Sequence, residues 1–136
     1  MSQNFINRVV ELTNIERRKA GLSPLRFNSR LATAAQKHSQ SMAKGDFFSH
    51  TGRSGSKMSD RITKEGYRWS FCAENIYAGG STPEAAVQGW MNSAGHRRNI
   101  LSPQAREIGV GYYFLANDRG RVNYKHYWTQ VFAAPR

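Results

Sequence analysis

The chain has 136 residues, 39% hydrophobic and 21% charged, a composition that excludes a disordered protein. This length predicts a single domain over residues 1–136 with a core of its own. Lysine and arginine number 20 against 9 acidic residues, and the net charge of +11 predicts salt-sensitive attraction to anionic surfaces. A solubilising surface bias without a dedicated partner explains the same charge equally well.

Helical signals dominate the first half of the chain. Apolar residues recur at helical spacing, Gly21 and Gly45 are stop signals, and Asn28 is a candidate N-cap. The predicted helices span Asn4–Ala20, Ser29–Lys44 and Met58–Glu65. A glycine- and serine-rich loop over Phe47–Lys57 separates the last two helices.

The second half mixes strands with one more helix. Thr82 caps that helix and Pro83 is its first residue, a combination typical of helix N-termini. The predicted strands span Trp69–Tyr77, Glu107–Leu115 and His126–Ala133, and Ser93–Pro103 is predicted to be a compact loop. This order of elements predicts an α+β fold in which helices cover a mainly antiparallel sheet.

Cysteine and hydropathy patterns limit the options further. Cys72 is the only cysteine, which excludes an internal disulfide. Cys72 precedes Glu74 by two residues in a predicted strand, so its side chain is expected on the same face as that carboxylate. We expect it to be a small buried hydrophobic residue rather than a nucleophile. Residues 1–21 have no apolar core typical of a signal peptide, and no apolar run is long enough to span a membrane.

The residues that bear chemistry are two histidines and one glutamate. His50 and His96 lie in predicted loops beside small residues, and neutral imidazole is a common zinc ligand and an acid or base near neutral pH. Their spacing alone favours two loop histidines that only hydrogen-bond the backbone, because no paired metal motif is present. Glu74 lies in an apolar strand, where a carboxylate must be paired, coordinated or facing a cleft.

Five phrases, taken together and in order, make the chain recognisable. They are FSH at 48–50, ENI at 74–76, WMNSAGHRRNI at 90–100, IGVG at 108–111 and YWTQVF at 127–132. With them the chain resembles the CAP superfamily (cysteine-rich secretory proteins, antigen 5 and pathogenesis-related 1), also called the SCP domain, in its compact bacterial form. The resemblance covers residues 5–132.

The resemblance implies a three-layer α-β-α sandwich with a cleft in which His50, His96 and Glu74 meet. It implies that the two histidines bind a divalent metal, with Glu74 as an additional ligand or as the group that orients an imidazole. Many eukaryotic members carry a second glutamate where this chain has Ser93, and loss of that charge predicts weaker metal affinity. The family is usually exported, so we expect a secreted or envelope location, with a leader removed from the chain.

Other side chains are expected around this cleft. The candidates for supporting or ligand-binding roles are Ser49, Asn75, Ser93, Arg97, Gln130 and His38. Arg97 would bind an anionic ligand at the rim or form a surface ion pair. His38, on the apolar face of its helix, is more typical of a hydrogen-bonded core residue, although the family has polar residues near the cleft at this point.

Three functional hypotheses follow. The first is a secreted or envelope-associated CAP protein whose His/His/Glu cleft binds a divalent cation, zinc, and an extracellular acidic polymer or lipid. The second is a metal- or His/Glu-dependent hydrolase of peptide, ester or glycosidic bonds, with Glu74 as general base. The third, a basic nucleic-acid-binding protein, lacks any recognised reader motif. We expect a monomer, and the sequence leaves open whether the protein is an enzyme.

Overall fold

The computed structural model describes residues 2–136, so Met1 of the predicted 1–136 domain lies outside the described residues. Within them the chain forms five helices and four strands. In chain order these are α1 (Ser2–Lys19), β1 (Arg26–Phe27), α2 (Ser29–Gly45), α3 (Met58–Lys64), β2 (Trp69–Ala78), α4 (Pro83–Met91), α5 (Ala94–Ile100), β3 (Glu107–Phe114) and β4 (His126–Pro135). None of these helices combines the length and the apolar character that crossing a membrane requires.

The strands form one sheet in the order β1-β3-β4-β2. The long pairs β2–β4 and β3–β4 are antiparallel, and the short β1 pairs with β3 in parallel. The sheet is therefore mixed and mainly antiparallel, which confirms the predicted α+β class. Because β2 is an edge strand, its side chains lie beside the open border of the sheet.

Helices cover both faces of this sheet. On one face, α1 and α4 contribute Ile6, Val9 and Trp90 to a core that includes Trp128 and Phe132 of β4. On the other, α2 and α3 contribute to a second buried cluster with β4, made up of Leu31, Ala34, Ala35, Ile62, Tyr67, Val131 and Ala133. Strand alternation sends neighbouring residues of β2 into different layers. The predicted three-layer arrangement is confirmed.

Close contact between α2 and the sheet depends on two glycines of β3. A Cβ atom added at Gly109 would lie 2.2 Å from the backbone of Ala32, and one added at Gly111 would lie 2.4 Å from the backbone of Gln36. No side chain fits at these distances. The IGVG phrase therefore sets how near α2, which carries His38, lies to the strands.

The predicted helix caps are confirmed. Asn28 accepts hydrogen bonds from the backbone N–H groups of Arg30 and Leu31, and Thr82 accepts one from Ala85 with Pro83 at the first helical positions. These side chains satisfy donors that the first helical turn leaves without partners. They fix where α4 and α2, the helix that carries His38, begin.

Two local predictions need correction. Residues 93–103, predicted to be a loop, contain the short helix α5, because buried Ile100 anchors this segment to the core. Strand β1, which was not predicted, pairs its two residues with β3. Helix α2 includes Gly45, and its C-cap is Asp46 in the left-handed conformation at φ 59°.

Candidate functional site

The site begins with a pair between His50 and Glu74. The loop between α2 and α3 carries His50, and β2 carries Glu74, whose side chain is only 2% exposed. The Nδ1 atom of His50 lies 2.9 Å from Oε1 of Glu74. A carboxylate accepts, so Nδ1 donates and the Nε2 atom of a neutral His50 ring keeps its lone pair. The His50 side chain is 55% exposed, which leaves that lone pair open to a ligand.

Arg61 of α3 holds the other oxygen of Glu74. Its Nη2 donates to Oε2 at 2.8 Å, while its Nη1 donates to the carbonyl of Ser56 at 2.9 Å. The guanidinium therefore compensates a carboxylate that would be costly to bury alone. Sequence reasoning missed this residue, because an arginine on a short helix has no local sign of a buried partner.

His96 reaches the site from α5. Its Nδ1 lies 2.9 Å from the hydroxyl of Ser93, one of the predicted supporting residues. The hydroxyl fixes the ring without adding charge, and it leaves Nε2 without a protein partner among the described residues. Burial, followed by the effect of nearby His50, lowers the pKa of His96, so the ring is neutral at pH 7.

An amide network joins α5 to the sheet directly beside Glu74. Asn75 donates to the backbone carbonyl of His96 at 3.1 Å and to Oε1 of Gln130 at 3.0 Å. Asn99 donates to Oδ1 of Asn75 at 2.8 Å, and Gln130 donates to Thr13 of α1 at 2.8 Å. Consecutive residues of β2 thus position both histidines, His50 through the Glu74 side chain and His96 through that of Asn75.

The remaining predicted residues have different surroundings. His38 is 1% exposed, and its Nε2 donates to the carbonyl of Ser49 at 2.8 Å, which braces the loop that carries His50. The Ser49 hydroxyl accepts from the backbone of Thr51, an interaction within the loop. Arg97 is exposed on α5. Burial raises the pKa of the Cys72 thiol, which fits the predicted small, apolar role.

This arrangement offers two imidazoles with Nδ1 engaged and Nε2 free. Within residues 2–136, no three histidine, cysteine, aspartate or glutamate side chains group closely enough to hold a metal ion. The predicted participation of Glu74 as a third ligand therefore gains no support, because both its oxygens are already bonded. Among the described residues, the geometry therefore gives two imidazole rings whose Nδ1 atoms contact Glu74 and Ser93 and whose Nε2 atoms have no protein partner.

Comparison with known proteins identifies the family. The family model described as "CAP: Cysteine-rich secretory protein family" matches residues 10–132. The chain belongs to the CAP family. Its CAP domain is 41% identical over 128 residues to the uncharacterized protein YkwD of Bacillus subtilis, covering 94% of this chain and 46% of that protein.

Solved structures agree with this assignment. An extracellular protein containing an SCP domain from Bacillus anthracis matches with a TM-score of 0.84 and 31% identity, covering 97% of this chain and 41% of that one. An outer surface protein from Borrelia burgdorferi shares the fold, with a TM-score of 0.84 at 17% identity over 94% of this chain and 90% of that one. The chain thus spans less than half the length of both Bacillus relatives.

Proposed function

We propose that this CAP domain acts outside the cytoplasmic membrane, secreted or attached to the envelope, as a module that binds a divalent cation and an anionic polymer or lipid. The location is supported by the Bacillus anthracis relative, which is described as an extracellular protein. The observation that carries the cation proposal is that both His50 and His96 have Nδ1 fixed by a partner and Nε2 free.

The donor set fits zinc better than calcium or magnesium. Neutral imidazole nitrogen is a preferred zinc ligand, whereas the harder cations take oxygen ligands. A histidine that binds metal through one nitrogen commonly donates through the other to a carboxylate or other acceptor, as His50 does to Glu74. With two protein ligands, zinc would supply open coordination positions to oxygen or nitrogen atoms of an extracellular ligand.

The charge of the domain supports an anionic partner. The net charge of +11 attracts polyanions from a distance and raises their local concentration at the surface. Arg97 and Arg98 are exposed on α5, directly after His96. An anionic ligand that reached the histidines would therefore meet a favourable potential.

The hydrolase hypothesis receives no comparable support. A general base must be free to accept a proton, and Glu74 already accepts hydrogen bonds from Arg61 and His50. The hydrolase hypothesis predicts that Glu74→Gln abolishes any turnover of an ester, peptide or glycoside; undiminished turnover in this variant would exclude Glu74 as the base.

A calorimetric zinc titration near pH 7.5 tests the cation proposal. We expect wild type to bind about one zinc ion per chain and the double variant His50→Ala/His96→Ala to bind none. His126→Gln is the matched control, because His126 bonds Tyr112 on another part of the sheet and should be dispensable for zinc. Circular dichroism verifies that the variants are folded. Absence of binding in wild type, or binding retained by the double variant, would contradict the proposal.

A further inference from the structure

Arg61, the partner of Glu74, also lines a pocket on the surface of the domain. Two adjoining cavities of about 480 and 230 Å³ open between α2, α3 and the loop of residues 47–57. We call them the α2–α3 pocket; the residues that line both are His38, Ser41, Ser54, Ser56 and Arg61. Arg61 is thus a wall of this pocket as well as the partner of Glu74. The two metal-binding candidates, His50 and His96, do not line it.

His38 is the buried polar group that points to a ligand. Its Nε2 must carry the proton, because the carbonyl of Ser49 can only accept. Its Nδ1 is therefore an acceptor, and the hydrogen bonds of residues 2–136 include none to it. Asp118 Oδ1 is the one fully enclosed side-chain N or O atom without a partner in these residues, so Nδ1 of His38 is not fully enclosed, and His38 lines both cavities. A ligand that satisfies it must bring a hydroxyl or N–H donor.

The rest of the lining favours a hydroxylated anion. Three serine hydroxyls face the pocket, and each can donate to or accept from a ligand hydroxyl. The charged lining residues are five cations and one carboxylate, namely Lys37, Lys44, Arg53, Arg61, Lys64 and Glu65. Lys37 is paired with Glu65, and Arg61 with Glu74. A neutral sugar would bring no charge to complement the positive lining, and a phosphodiester, which has no O–H group, would bring no donor to His38.

We infer that the α2–α3 pocket binds an acidic saccharide unit, a ring that carries hydroxyl groups and one carboxylate. A ring hydroxyl donates to Nδ1 of His38, other hydroxyls exchange hydrogen bonds with the serines, and the carboxylate accepts from the cations beside Arg61. The inference deepens the proposed function, on which it rests for the choice of an anionic polymer as ligand. It places one unit of that polymer next to the metal-binding histidines, with Arg61 between the two.

A separate cavity is less suited to such a ligand. It measures about 670 Å³ and is lined in part by Arg26 and Arg106, and it shares no residue with the histidine site. Both arginines are exposed, and the cavity has no buried polar group comparable to His38. Physical complementarity therefore favours the α2–α3 pocket.

Titration with D-glucuronate, D-glucose and dimethyl phosphate, followed by backbone amide NMR in 150 mM salt with a chelator present, tests the inference. We expect glucuronate to shift the amides of His38, Ser54 and Ser56 with an affinity at least about fivefold above that of glucose or dimethyl phosphate. The variant Ser41→Ala/Ser54→Ala keeps every charge and should weaken glucuronate binding by about fivefold. The matched controls Ser81→Ala and Arg119→Gln remove an exposed hydroxyl and an exposed charge elsewhere and should change it by less than twofold.

Each alternative outcome overturns the inference. Equal binding of dimethyl phosphate and glucuronate, unaffected by the serine variant, would show attraction to net charge only. Equal binding of glucose would exclude a role for the carboxylate, and shifts confined to other residues would place the ligand elsewhere. Because the chelator removes metal, failure here leaves the zinc proposal untouched, and failure of zinc binding leaves this titration unaffected.

Discussion

Replacing Arg61 by methionine should destabilise the fold, because it leaves the buried carboxylate of Glu74 without its cationic partner. Glu74 is 2% exposed, Arg61 is 13% exposed, and their nitrogen and oxygen atoms are 2.8 Å apart. Removing one partner of a buried pair typically costs about 3 to 5 kcal/mol. Since His50 still contacts Glu74 from a half-exposed position, we expect the lower value, about 3 kcal/mol.

Urea unfolding measures this change directly. With a urea dependence of about 2 kcal/mol per molar, Arg61→Met should lower the midpoint by about 1.5 M. The double variant Arg61→Met/Glu74→Gln removes the uncompensated charge, so it should recover at least half of the loss. Arg30→Met is the matched control, because Arg30 is exposed and makes a single long hydrogen bond of 3.4 Å to Gly66; it should shift the midpoint by less than about 0.3 M.

Two results would refute this reasoning. A cost below about 1 kcal/mol for Arg61→Met would mean that Glu74 does not depend on the guanidinium. A double variant no more stable than the single one would mean that Arg61 acts through its hydrogen bond to the Ser56 carbonyl or through packing. In either case the electrostatic account of the site would need to be replaced.

Three further predictions concern the neighbouring layers. Ser93→Glu should raise the pKa of His96 and tighten zinc binding by about tenfold, because a carboxylate replaces a neutral partner of its ring; calorimetry measures this. Burial lowers the pKa of His38, so the neutral ring stabilises the fold above about pH 6.5 and that contribution is lost as the pH falls towards the lowered value. The stability difference between wild type and His38→Gln should therefore shrink by about 1 kcal/mol between pH 7.5 and 5.5 in urea unfolding. Gly109→Ala should cost more than about 3 kcal/mol in the same assay, whereas Gly95→Ala, whose added methyl group meets nothing within 4 Å, should not destabilise.

Contradictory outcomes are equally specific. Unchanged zinc affinity in Ser93→Glu would mean that the side chain at this position does not control the His96 ring. A stability difference that stays constant with pH would place His38 in an environment that tolerates its charge. A Gly109→Ala variant as stable as Gly95→Ala would mean that α2 leaves room for a Cβ atom at position 109, which the 2.2 Å distance from that atom to the Ala32 backbone excludes.

The elements that sequence alone could predict are those with strong local signals. Asn28 and Thr82 act on donors within the next three residues, so their capping roles follow from local chemistry. The long strands β2, β3 and β4 have β-branched and aromatic residues bounded by turn signals. The seven-residue helix α5 has no comparable signal, because it depends on burying Ile100 against residues far along the chain.

The residues of the site also differ in whether a local sequence signal indicates them. The phrases around His50, Glu74 and His96 indicated these residues through a family resemblance, and the fold places Glu74 against His50 as one of the expected arrangements. The guanidinium of Arg61 was not predicted, since 13 residues separate it from Glu74 and only the packing of α3 on β2 brings them together. The interpretation of His38 as a hydrogen-bonded core residue is consistent with its bond to Ser49.

The most direct test of the central claim is an NMR measurement of the imidazole nitrogens of ¹⁵N-labelled protein before and after addition of one equivalent of zinc. The account predicts that Nε2 of His50 and of His96 both shift, while their Nδ1 atoms keep the signatures of bonds to Glu74 and Ser93. His38 should show a proton on Nε2 throughout and remain unaffected by zinc. A shift of only one of the two Nε2 atoms, or zinc binding through Nδ1, would contradict the two-histidine site.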